Sequence, residues 1–276
     1  MKEKSIHNKN KMFVQIISII LLIFCVITFI NWQKDNYNND QITTELNDLV
    51  SIETDLNVPV VVILNENDNI EIKSDNSDEE STHENLNINI DFKTLLKKNY
   101  DTIGWIKFNN IDINYPIVQS TDNSYYLKHN FYKEKNKAGW IFADYNNTFP
   151  ILNKNSIIYG HNRQNGTMFS KLNNYLKPDF CANESNQTFL FSTTQQNYIA
   201  KIFSVYKINK DGFTLQTDFE SNVYFFDYLK ELQEKSNYNF NVTLSPNDKI
   251  ITLCTCDNNT KYRIVVHAKL KLLNNN

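Results

Sequence analysis

The chain has 276 residues, 41% of them hydrophobic, with 28 Lys and Arg against 31 Asp and Glu for a net charge of −3. That length holds one sizeable domain plus additional segments, and the balance of charge excludes a general nucleic-acid binder, which carries a basic surface. Four cysteines, at 25, 181, 254 and 256, are too few and too irregular for a disulfide framework.

The first pattern is an apolar run at 12–30, MFVQIISIILLIFCVITFI, interrupted only by Gln15, Ser18 and Thr28. Nineteen residues suffice to cross a hydrocarbon core of about 30 Å. Lys2, Lys4, Lys9 and Lys11 precede it, so the positive-inside rule puts residues 1–11 in the cytoplasm. The exit, Asn31-Trp32-Gln33-Lys34, offers no small-residue cleavage site, so a retained signal-anchor is expected rather than a cleaved signal peptide. The rest of the chain then lies outside the cytoplasm. Cys25 is a small lipid-facing or packing residue.

Residues 31–90 are rich in Asn, Asp, Glu, Ser and Thr. Between 66 and 84 eight acidic residues face one lysine, Lys73. Such a stretch buries too little apolar area to offset its ordering entropy and reads as a flexible stalk. A short helix over 41–52 and an apolar island at 59–64 (PVVVIL) are its exceptions. His83 reads as a solvated side chain.

The domain begins near Asp91, which can cap a short helix carrying Phe92, Leu95 and Leu96 and ending near Asn99. Alternation from Ile111 to Ile117 predicts a half-buried strand, with Pro116 favouring an edge. Trp105 is a core or rim aromatic. Asp122-Asn123-Ser124 starts a turn, His129 reads as structural, and 137–143 is a further strand. Residues 155–160 form a strand with His161 at its end, framed by Gly160 and Gly166, and Met168, Phe169, Leu172 and Leu176 follow as a helical apolar face. Strands are expected over 187–191 and 197–207, with Cys181 unassigned between them and the preceding helix. Thr217-Asp218-Phe219-Glu220 fits a capping box, opening a helix with an apolar stripe of Phe219, Val223, Phe226, Leu229 and Leu232.

The most informative stretch is KIITLCTCDNNTKYRIVVHAKL, 249–270. Two strands, 249–256 and 262–270, flank a polar turn at Asp257-Asn258-Asn259. Period two puts Thr252, Cys254 and Cys256 on one face of the first, and Arg263, Val265, His267 and Lys269 on one face of the second. Cys256 ends one strand and Arg263 begins the next. A thiol beside a fixed cation is a candidate nucleophile, because the thiolate is the reactive form. Only two of the basic residues are arginines, Arg163 and Arg263, which points to a use for the guanidinium fork. A metal site from Cys254, Cys256 and His267 lacks the paired spacing of zinc sites; no metal and no cofactor are expected.

TLCTC at 252–256 followed by Arg263 resembles the TLxTC…R signature of sortases, cysteine transpeptidases on the surface of Gram-positive bacteria. NSIIYGHNRQNGTMFSKL, 155–172, is similar to the segment carrying the family's catalytic histidine, and 113–147 resembles class B sortases in particular, except that Trp140 and Asn146 stand where a smaller residue and an arginine are usual. The resemblance covers about residues 90–272. It implies a mostly β fold with flanking helices, a barrel of about eight strands preceded by the transmembrane helix and polar stalk, in a domain spanning 91–276. It implies catalytic roles for Cys256, His161 and Arg263, and places Asn123 near the substrate groove. Cys254, at the variable position, lines the groove or is a small buried hydrophobe. The implied partners are secreted proteins bearing a C-terminal sorting signal, NPxTN-like or xPxTG-like, and a peptidoglycan amine on a lipid-linked precursor or cross-bridge. A membrane-anchored cysteine peptidase and a non-catalytic surface binding module remain as alternatives.

Overall fold

The computed structural model describes residues 2–54, 60–64, 70–74, 81–82, 86–210, 214–256 and 261–273. They form two compact units, residues 1–41 and 42–276. A single helix, α1 (Lys2–Asn47), makes up the first and extends into the second. From Met12 it is long and apolar enough to cross a membrane, and its most apolar window, of mean hydropathy 3.0, has no side chain buried. The helix therefore continues well past Ile30, through the stretch in which a separate short helix was expected from Gln41.

In the second unit, Ile42 and Leu46 on the last turns of α1 are buried. Strand β1 (Val50–Thr54) follows, and β2 (Val60–Leu64), β3 (Ile70–Ser74) and β4 (Ser81–Thr82) make a small antiparallel sheet. β5 (Leu86–Ile90) returns antiparallel to β1, with Val50 opposite Ile90. The stretch 31–90 thus carries a helix end and two small sheets. His83 and the acidic positions 66, 68, 75, 78, 79, 80 and 84 lie outside the described residues.

Asp91 caps α2 (Phe92–Lys98), its side chain accepting from the Thr94 amide at 2.9 Å. Eight strands then close into a barrel, as the resemblance implied: β6 (Thr102–Phe108), β7 (Asn114–Gln119), β8 (Phe142–Ala143), β9 (Asn155–Gly160), β10 (Thr188–Thr193), β11 (Asn197–Asn209), β12 (Lys249–Cys256) and β13 (Tyr262–Leu272). Around the barrel the order is β10-β11-β13-β12-β9-β8-β7-β6. Closure leaves the barrel itself without a free edge among the described residues. Alternating side chains such as Ile106, Ile117, Ile158, Phe191, Ile202, Leu253 and Val266 are fully buried.

Several local expectations are corrected. The strand read over 137–143 is reduced to Phe142–Ala143, because Gly139 turns the chain through a positive φ of 63°. β8 therefore pairs with β7 only at Val118 and Gln119. Pro116 sits beyond that pairing, where no ladder amide is required of it, and its carbonyl accepts Trp140 Nε1 at 3.0 Å. The face expected to be helical from Met168 is instead a 3-10 segment over Ser170–Leu176, since Met168 itself has φ 55°; α3 (Pro178–Ala182) follows it with Cys181 buried. Finally, α4 spans Asn222–Glu234 and is capped by Ser221, not Thr217. Of the expected stripe Leu229 and Leu232 are buried and Phe226 is half-buried, while Phe225 completes the buried face and Val223 is 70% exposed.

Candidate active site

β12 lies at the centre of the site because it is paired on both sides. It runs antiparallel to β13, with Cys254 opposite Val265 and Cys256 opposite Arg263. It runs parallel to β9, with Cys254 opposite Tyr159 and Thr255 opposite Gly160. Parallel register brings the ends of β9 and β12 together at the same rim of the barrel. His161 is the first residue beyond β9, and Cys256 is the last residue of β12. The backbone of Cys256 is described, but its thiol and the turn at Asp257-Asn258-Asn259 lie outside the described residues.

A pocket of about 190 Å³ opens at this rim, lined by residues that include Asn123, Tyr159, His161, Cys254 and Arg263. Four residues from the sequence reading are thus gathered from separate segments. Arg263 is half-buried, and its Nη1 donates to Cys254 Sγ at 3.8 Å. Cys254 is both buried, at 1% exposure, and part of the pocket lining.

Among the described residues His161 is held by its surroundings rather than by a side-chain partner. Its Nε2 is 2.9 Å from the Leu127 carbonyl. A carbonyl only accepts, so Nε2 carries the hydrogen and Nδ1 is the nitrogen left to exchange a proton. Burial lowers the pKa of the imidazole; the bond to Leu127 opposes that shift and the charge of Arg163 adds to it. Gly139 packs directly on the ring: a Cβ there would lie 2.7 Å from His161 Cδ2 and 2.7 Å from the Tyr126 carbonyl oxygen. Gly160 is equally constrained, since a Cβ would meet Ile141 Cδ1 at 2.5 Å. Arg163 turns away, donating from Nη1 to the Lys137 carbonyl at 3.1 Å. His129 is a packing residue, stacked on Tyr125 with ring centroids 4.0 Å apart.

Asn123 is fixed at both ends of its amide. Nδ2 donates to Asp144 Oδ2 at 2.8 Å, and Oδ1 accepts from the Tyr145 amide at 3.0 Å. Asp144 and Tyr159, like Gly139 and the Leu127 carbonyl, were not identified from sequence. Gly139 alone carried a signal, being one of only five glycines.

His267 supports the strand from beneath. Its ring is fully buried, with Nδ1 2.8 Å from Thr252 Oγ1 and Nε2 2.9 Å from the Tyr206 hydroxyl. Thr252 donates its one hydrogen to Asn155 Oδ1 at 2.7 Å, so His267 Nδ1 donates to Thr252 and Tyr206 donates to Nε2. Both ring nitrogens are occupied, which removes His267 from any metal set with Cys254 and Cys256. Among the described residues no group of three His, Cys, Asp or Glu is placed to hold a metal ion.

A larger concavity, about 520 Å³, lies beside α4 and includes Asp218, Asp227 and Glu231. Those carboxylates are engaged by Asn153, Lys230 and Lys235 respectively, and no nucleophile lines the cavity. The expected His161, Cys254 and Arg263 lie instead at the rim of β9 and β12.

The sortase domain family model matches residues 106–271, well over half of the chain. Sortase B of Listeria monocytogenes is 43% identical over 183 residues, covering 65% of this chain and 74% of the relative. Sortase B of Staphylococcus aureus is 37% identical over 182 residues, with the same coverage of 65% and 74%. Among solved structures, sortase B of B. anthracis superposes with a TM-score of 0.64 at 39% identity, covering 67% of this chain and 85% of that one. With an eight-stranded closed barrel, a TLCTC strand end beside Arg263, and this degree of likeness along the whole barrel, the chain belongs to the sortase family, among the class B cysteine transpeptidases of the cell wall.

Proposed function

We propose that Cys256 is the nucleophile of a membrane-anchored transpeptidase that cleaves a C-terminal sorting signal after Thr. The observation that carries this reading is the register that sets Cys256 opposite Arg263 while β9 delivers His161 to the same rim. The thiolate attacks the Thr carbonyl of an NPxTN-like or xPxTG-like signal. Arg263 donates to the oxyanion as the carbonyl becomes tetrahedral. His161 Nδ1 gives its proton to the leaving amine, and the C–N bond breaks to leave a thioester on Cys256. An amine of peptidoglycan, on a lipid-linked precursor or a cross-bridge, then attacks the thioester. His161 takes the proton from that amine, and the thiolate departs as the new amide forms. Burial lowers the pKa of His161, so the proton that Nδ1 gives to the leaving amine is the one it takes from the Cys256 thiol as the thiolate forms.

In this reading residues 1–11 are cytoplasmic, 12–30 anchor the protein in the membrane, 31–90 hold the enzyme away from the bilayer, and 91–276 form the catalytic domain on the outer face. The lysines at 2, 4, 9 and 11 before the apolar run support that orientation.

The test is intact-mass spectrometry of the full-length protein in detergent, incubated with a panel of sorting-motif peptides. The expected result is a mass gain equal to the N-terminal half of one peptide, absent from Cys256→Ala and discharged by an added amine. Discharge to water alone, whatever amine is supplied, would convert the assignment to a peptidase. No adduct with any peptide, together with a Cys256 inert to alkylation, would remove the catalytic role altogether.

A further inference from the structure

Asp144 follows β8 directly and is 6% exposed. Among the described residues it forms no ion pair. A buried carboxylate without a cation is costly unless its lone pairs are satisfied by donors. Here four donors satisfy it. Oδ2 accepts from Asn123 Nδ2 at 2.8 Å and from the Tyr159 hydroxyl at 3.0 Å. Oδ1 accepts from the backbone amide of Asn146 at 2.9 Å and from its Nδ2 at 3.0 Å.

Two of those donors, Asn123 and Tyr159, line the pocket that holds His161, Cys254 and Arg263. A carboxylate accepts and does not donate, so both side chains are obliged to point a hydrogen at it. For Asn123 the orientation is fixed twice, since the Tyr145 amide can only donate to Oδ1. One N–H of Asn123 and the lone pairs of the Tyr159 oxygen are then left for the pocket. Burial raises the pKa of Tyr159, and the charge of Asp144 adds to the effect, so the phenol stays a neutral hydroxyl.

We propose that Asp144 is a positioning residue that locks Asn123 and Tyr159 so that the pocket wall offers one fixed donor and one fixed acceptor. That pair is complementary to an amide group of the bound sorting signal, whose carbonyl would accept from Asn123 and whose N–H would donate to Tyr159. The role rests on the transpeptidase reading above. It acts on substrate capture, not on the thiol, the imidazole or the guanidinium.

Asp144→Asn tests it, because the amide keeps the shape but points an NH₂ group at a partner that must now reverse. Kinetics of the full-length protein in detergent with the best peptide should show KM raised at least about tenfold and kcat within about threefold. The alkylation rate of Cys256, followed by peptide mapping, should be unchanged, which a general disturbance of the site would not allow. Should Asp144→Asn fail to fold, Asn146→Ala removes a donor that touches the pocket only through Asp144. It should raise KM about threefold with kcat unchanged. In an Asn123→Ala background the Asp144→Asn effect on KM should shrink, as coupling through a shared partner requires. Unchanged KM in Asp144→Asn, or equal losses in kcat and thiol reactivity, would overturn the role while leaving the transpeptidase reading intact. A wild-type protein that forms no adduct with any peptide would overturn both.

Discussion

A single glycine shows how tightly the imidazole is held. Gly139 combines a φ of +63°, which costs most side-chain-bearing residues about 1–3 kcal/mol, with van der Waals contact on His161. Alanine there would have to displace either the ring or the Tyr126 carbonyl, both 2.7 Å from the added carbon. Misplacing a reacting group by about 1 Å costs on the order of a hundredfold in rate. Gly139→Ala is therefore expected to lower kcat/KM at least about tenfold and to lower the melting temperature. Normal kcat/KM in a correctly folded Gly139→Ala protein would show that the ring is not held by this contact. The expectation for Cys256, His161 and Arg263 rests on short local segments, TLCTC followed by Arg263 and YGHN, and on their resemblance to sortases. Asp144 and Tyr159 were not legible, since an aspartate in ADYNN and a tyrosine in IIYGH say nothing of each other until β8 and β9 are paired.

At the scale of the element, β12 owes its position to partners on both flanks and to a polar ladder beneath. Thr252 accepts from His267 on β13 and donates to Asn155 on β9, tying three strands at one hydroxyl. Asn155 Nδ2 in turn donates to the Gln216 carbonyl at 2.8 Å, which fixes the segment leading to α4. Thr252→Val keeps the shape and leaves His267 Nδ1 and Asn155 Oδ1 without that partner in a dry interior. An expected loss of about 2–6 kcal/mol follows from two buried groups at about 1–3 kcal/mol each, measured by urea denaturation. Thr252→Ser keeps the hydroxyl and should retain most of that stability. A Thr252→Val protein as stable as the wild type would contradict the ladder. Strand periodicity did place Thr252 and His267 on defined faces, but it could not tell that the hydroxyl and the imidazole meet. The α4 stripe holds at Leu229 and Leu232 and departs at Val223, whose place on the buried face goes to Phe225. A capping-box pattern and a Ser cap four residues later compete on sequence alone, and the choice decides whether Phe219 belongs to the helix.

For the whole molecule, the buried His267 links folding to pH. Burial pushes its pKa down to about 3, while the unfolded chain titrates near 6.5. The neutral ring is the native form, so its stabilisation is complete above about pH 6.5 and declines as the pH falls toward 3. Between pH 7.5 and 5.5 this one group removes about 1.4 kcal/mol of stability. The lowered pKa of His161 adds a loss of the same sign. Urea melts across that interval should record a decline of about 1–3 kcal/mol, reduced in a His267→Gln protein when each is compared with its own value at pH 7.5. Equal stability at pH 7.5 and 5.5 would mean that the imidazole charges without cost in the fold.

The sequence by itself determined what depends on near neighbours in the chain. The apolar run, the period-two strands, the TLCTC end and the cation just beyond the turn are each written within a few residues, so composition and spacing suffice to read them. The tertiary structure decided what depends on strands that are distant in sequence and adjacent in space. Parallel pairing of β9 with β12 brought His161 to the thiol's strand end, and closure through β8 gave Asp144 its donors. It also chose Gly139 as the floor of the imidazole. Those choices follow from barrel closure and packing, which fix distances between segments that no local pattern encodes.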